Sequence, residues 1–173
     1  SLEARPWPGR DGGAMNGRCR RATAGALCSL FVIAAVAVTS LAESGQFYEK
    51  DGVAIDGFDP VAYFEDHQAV KGLPTLSHAY KGSTFRFASP RHLALFRQTP
   101  ERFAPQFGGF CAYGVAEGVK AAVAGEIWEV VEGKLYLNHD SQVQVKWNAR
   151  RPALLRSAEA NWPQVESSTE VYP

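Results

Sequence analysis

Between Phe103 and Gly118 the chain reads FAPQFGGFCAYGVAEG, and this stretch limits the possible folds more than any other. The Gly108-Gly109 pair admits positive φ and close backbone approach, which residues with a Cβ resist. Phe103, Phe107, Phe110 and Tyr113 are large apolar bodies that need a core to sit in. Cys111 lies among them. A thiol in that setting is either sealed into the interior or held at the lip of a pocket, and the functional reading depends on which.

The front of the chain differs from the rest. Met15 reads as the translational start, and residues 1–14, with Pro6, Pro8 and Gly12-Gly13, as non-native or upstream sequence. Arg18, Arg20 and Arg21 precede an apolar run from Ala22 to Val38, and Ser40-Leu41-Ala42 is a small-x-small cleavage site. That order predicts a secretory signal peptide over residues 15–42, cut after Ala42, and a periplasmic or secreted product. The alternative is an uncleaved anchor, since Ala22 to Ala42 is long enough to span a bilayer. Cys19 and Cys28 depart with the leader, so Cys111 enters an oxidising compartment without an internal partner. An unpaired exported thiol calls for burial, a metal or a partner thiol. Basic and acidic residues total 18 each, but residues 1–42 hold five basic against two acidic ones, so the remainder carries a net charge of −3. A mildly acidic domain without a basic run lacks the electrostatic footprint of a nucleic-acid binder.

Residues 43–166 predict a single α+β domain: a small antiparallel sheet built from hairpins, packed against three or four short helices. Val53 to Ile55 forms a small strand, and Asp56-Gly57-Phe58-Asp59-Pro60 a turn whose aspartates bond nearby amides. Ser77 to Tyr80 and Thr84 to Ala88 flank a Lys81-Gly82 turn, with Phe85 and Phe87 on one face of the second strand. Ser89-Pro90 starts a helix, and Thr99-Pro100 a shorter one through Phe103. Ile127 to Val131 and Lys134 to Leu137 make a second hairpin. Asp140 caps a helix carrying Val143 and Trp147 on one face. Pro152 interrupts it, a last short helix runs from Ala153 to Asn161, Trp162-Pro163 closes the fold, and residues 167–173 form a disordered tail.

Several of these blocks, in order, resemble the exported, single-domain branch of the YHS-domain family. The marks are Gly57-Phe58-Asp59-Pro60-Val61-Ala62-Tyr63-Phe64, Tyr80-Lys81-Gly82, Phe85-Arg86-Phe87-Ala88-Ser89, Pro100-Glu101-Arg102-Phe103-Ala104-Pro105, Phe107-Gly108-Gly109-Phe110-Cys111-Ala112-Tyr113-Gly114, Gly133-Lys134-Leu135-Tyr136-Leu137-Asn138 and Asn161-Trp162-Pro163. The resemblance implies a small metal-handling module, since YHS domains accompany heavy-metal-transporting ATPases. The metal-associated form places cysteines in the strand before the helix and early in the helix. Here those positions are Ala88 and His92, of which His92 can ligate.

Thiolate and imidazole both suit copper and zinc. The expected metal set is therefore Cys111, His92 and His78, with copper or zinc as the cofactor and a metal-transfer protein as the partner. The alternative is a small-ligand- or protein-binding module with a structural Cys111 and no metal. Free cysteine is among the most buried residue types, which favours that structural role. His67 and His139 read as solvated loop residues, and Asp56 and Asp59 as turn caps. No H-x-x-x-H, C-x-x-C or H-E-x-x-H spacing occurs, and no nucleophile elbow, P-loop or dinucleotide fingerprint. Trp128, Trp147 and Trp162 read as core residues, with a ligand pocket as the other reading.

Overall fold

Three hairpins share one turn chemistry. The computed structural model describes residues 46–173; the expectations for residues 1–14 and for the leader at 15–42 lie outside the described residues. Strands β1 (Glu49–Lys50) and β2 (Val53–Ala54), β3 (Leu73–Tyr80) and β4 (Ser83–Phe87), and β5 (Ala124–Val131) and β6 (Lys134–Asn138) pair antiparallel. Each pair closes on two residues, Asp51-Gly52, Lys81-Gly82 or Glu132-Gly133, and all six residues have positive φ. Left-handed backbone at both central positions matches the twist of the flanking strands, and a glycine second makes it accessible.

The class is α+β, as the sequence reading has it, but two features differ in detail. The strands form three separate two-stranded sheets, and β2, inside the small strand expected over Val53 to Ile55, pairs with β1, for which no strand was expected. Strand β3 also passes through Pro74, with a register shift between Leu73 and Ser77. A proline is tolerated on such a strand because, among the described residues, β3 pairs on one side only, with β4.

Helices α1 (Ala62–Glu65), α2 (Pro90–Gln98), α3 (Pro100–Phe103) and α4 (Ala112–Ala116) are short. Ser89 caps α2, its hydroxyl accepting from His92 N–H at 3.1 Å. Phe96 of α2 lies 5.1 Å, ring to ring, from both Phe85 and Phe87 of β4, and all three are fully buried. Burying one such ring contributes about 1.5–3 kcal/mol.

The last helix, α5 (Ser141–Glu166), runs farther than expected. Asp140 caps it, accepting from Val143 N–H at 2.8 Å. The predicted interruption falls at Arg150, whose φ of −136° breaks the helical path two residues before Pro152. A proline ring clashes with the preceding turn and removes a donor there. Beyond the kink the helix continues through Pro163 instead of ending at Asn161. Val143, Trp147, Leu154, Ala158 and Val165 form its inner stripe against α4 and Tyr136. The Asn161 amide donates to the carbonyls of Val115 and Ala116 at 3.1 and 2.9 Å, closing the end of α4. The tail also differs from expectation. Tyr172 N–H donates to Lys120 O at 2.9 Å, and Ala122 N–H to Tyr172 O at 2.8 Å, so backbone pairing holds the segment down. No helix among the described residues is long and apolar enough to cross a membrane.

Candidate functional site

Asp59 carries four side-chain hydrogen bonds, more than any other side chain among the described residues, and it is fully buried. Its Oδ1 accepts from Val61 N–H at 2.8 Å and from Ala62 N–H at 3.4 Å, which starts α1. Its Oδ2 accepts from Ala88 N–H at 2.7 Å, at the end of β4, and lies 2.7 Å from His92 Nδ1. A carboxylate only accepts, so the hydrogen of this pair sits on Nδ1. His92 is 4% exposed, and its Nε2 points toward Asp66 Oδ2 at 3.7 Å. One carboxylate therefore ties the Asp59 turn, β4 and α2 together. The turn-capping role was readable from the sequence; the His92 contact, 33 residues away, had no local signal.

Cys111 occupies a different pocket of the interior. It is fully buried and caps α4, its sulfur accepting from Gly114 N–H at 3.4 Å. The thiol donates to Asn138 Oδ1 at 3.6 Å, an oxygen that also accepts from Tyr113 N–H at 3.1 Å. Burial pushes the Cys111 thiol up to about 11, against the smaller lowering effect of backbone hydrogen bonds from Gly114, His139 and Tyr113. A thiol held protonated in this way is a poor ligand and a poor nucleophile.

His78 stands on β3 opposite Phe85, half-buried, with its ring 6.3 Å from that of Phe96. The structure does not bring Cys111, His92 and His78 together. Their polar and ring partners are different residues, and no group of three or more His, Cys, Asp or Glu among the described residues is placed to hold a metal ion. His139 is less solvated than its loop position suggests, with Nδ1 3.1 Å from Ala122 O.

The open concavity lies elsewhere. A cleft of about 220 Å³ runs between the Lys81 turn, the loop after α3 and the end of α5, and Phe47, Tyr80, Glu101, Phe107, Trp162 and Glu166 are among the residues that line it. Trp162 is the one tryptophan of the three weighed above that reaches it; Trp147 is core, and Trp128 packs 5.0 Å from Tyr63. The Phe107 and Trp162 rings stand 5.7 Å apart at 58°. Phe107 is left-handed, with φ 51° and ψ 40°, a conformation that costs a bulky residue free energy. It is held there by the next residue: Tyr48 N–H donates to Gly108 O at 2.7 Å, and a Cβ on Gly108 would lie 2.4 Å from Gln46 O. A neighbouring cavity of about 430 Å³ shares Phe47 and Glu166. There the Lys120 ammonium donates to the carbonyls of Glu166 and Ser168 at 2.7 and 2.8 Å and lies 5.0 Å over Phe110. Burial lowers the Lys120 pKa, and Glu166 opposes that shift.

Comparison with family models, with curated proteins and with solved structures gave no match to this chain.

Proposed function

We propose that this chain is an exported, non-enzymatic binding module of the YHS type, in which Cys111 is structural and the aromatic cleft beside Trp162 is the working surface. The observation that carries this reading is Phe107. A left-handed non-glycine residue costs on the order of 1–3 kcal/mol and persists where its surroundings over-determine it. Here that backbone sets a half-buried ring beside Trp162 in the wall of an open cleft. The test is a small-molecule screen by NMR on the purified protein. Binders should shift the Trp162 indole N–H and lose affinity in Trp162→Leu. Hits that leave Trp162 untouched and gather around His92 would sink the reading.

A second reading, metal handling with copper or zinc, is favoured by one feature. Asp59 fixes the His92 ring through Nδ1, as outer carboxylates fix metal-bound imidazoles, and Asp66 Oδ2 lies 3.7 Å from Nε2. In that reading His92 replaces Cys111 as the primary ligand. Zinc or copper uptake, followed by calorimetry, would survive Cys111→Ser and disappear in Asp66→Ala. Absence of uptake by the unmodified protein would remove this reading.

A further inference from the structure

We propose that the cleft beside Trp162 receives a small organic cation, an alkylated ammonium headgroup, an inference that rests on the cleft being the working surface. Three features of its walls lead there. The first is size: about 220 Å³ falls below the roughly 300–1,000 Å³ of pockets for drug-sized ligands, so a headgroup fits where a larger molecule does not. The second is aromatic geometry. Phe107 and Trp162 form an open corner, 5.7 Å apart and inclined by 58°, and Tyr80 supplies a further ring. The negative face of such rings attracts a cation, most strongly for tryptophan.

The third feature is charge. Glu101 and Glu166 line the cleft against Lys81 alone, a net charge of −1. Glu101 accepts from the Tyr80 hydroxyl at 3.1 Å, which orients the carboxylate without neutralising it. Neither glutamate makes a side-chain ion pair among the described residues. Lys120, which interacts electrostatically with Glu166, lines the adjoining cavity, where its ammonium bonds the backbone carbonyls of Glu166 and Ser168 rather than the carboxylate. The chain also places a cation of its own on this wall: the Lys81 ammonium lies 5.2 Å from the Tyr80 ring centroid. Lys81 thus marks the chemistry that the wall accepts, and a bound cation meets it as a like charge.

The experiment titrates choline and tetramethylammonium into the purified protein, alongside dimethylbutanol, the neutral carbon isostere of choline. Calorimetry reads affinity, and the Trp162 indole N–H resonance reads location. Both cations should bind saturably and move that resonance. Trp162→Leu should weaken binding about tenfold, the size of a well-placed cation–π contact. Glu166→Gln should weaken it several-fold, whereas Lys81→Gln should tighten it, an outcome that a purely apolar site would not give. Dimethylbutanol binding as tightly as choline would overturn the cation inference while leaving the cleft as a binding surface. If neither cation nor isostere moves the Trp162 signal, the cation inference falls, while the reading beneath it stands or falls on where the hits of the wider small-molecule screen gather.

Discussion

His92 and Cys111 are both buried side chains with metal-ligand chemistry, and the protein handles them in opposite ways. His92 is held by a full carboxylate that also collects three backbone donors, Val61, Ala62 and Ala88. Cys111 is held by two weak partners, one amide oxygen and one backbone N–H, in surroundings that keep it neutral. A buried charge is tolerable only when its lone pairs are nearly all used, whereas a thiol is close to a small hydrophobe and asks for little. The Asp59 side is therefore a lock of high stakes, and the Cys111 side is ordinary packing with a polar tip.

That contrast can be broken most forcefully at Asp59. Asp59→Ala leaves a buried imidazole and three N–H groups without their acceptor, and we expect a loss of about 3–5 kcal/mol in urea unfolding. A loss under about 1 kcal/mol would mean that the carboxylate is not the joint between the Asp59 turn, β4 and α2.

The Cys111 side sharpens the comparison through pH. Its folded pKa, about 11, stands above the ordinary value of 9.0. The stabilising contribution is complete below about pH 9, while the thiol is protonated in both states. It declines as pH rises, because the unfolded thiol ionises first, and is gone once pH passes about 11. Two pKa units correspond to about 2.7 kcal/mol as an upper figure. Buried Tyr63, whose pKa is also raised by burial, acts in the same sense at higher pH. Cys111→Ala should flatten the stability profile between pH 9 and 11, measured by urea unfolding at each pH. The native thiol should also resist labelling at neutral pH until the protein unfolds. Prompt labelling of the folded protein would place the sulfur at a surface after all.

The smallest expected effect is at the margin of the His92 lock. Asp66 is exposed and stands 3.7 Å from Nε2, beyond hydrogen-bond reach. Asp66→Asn should change stability by less than about 1 kcal/mol, as exposed pairs do. A larger cost by the same unfolding measurement would show that Asp66 belongs to the buried joint.

Much of the secondary structure was legible. The Lys81-Gly82 and Glu132-Gly133 turns, the alternating Phe85 and Phe87, and the Ser89 and Asp140 caps all depend on residues within a few positions of each other. The first hairpin escaped notice because two-residue strands leave no periodicity to read, although Asp51-Gly52 was a turn signal of the right kind. The candidate site was harder. Cys111 among aromatics could be read as buried or as pocket-lining, and only its neighbours Asn138 and Gly114 separate the two. The cleft brings together Tyr80, Phe107 and Trp162, which no local pattern links.

Local chemistry in the chain thus determined where turns, caps and the α+β class must fall, because those follow from φ preferences, side-chain reach to the nearest amides and the period of apolar residues. The folded chain alone decided which polar groups would meet. Asp59 and His92 face each other across 33 positions, and the persistence of α5 through Pro163 carries Trp162 to Phe107. Such meetings depend on packing between distant elements, where the free energy of burial outweighs the preferences of any single residue.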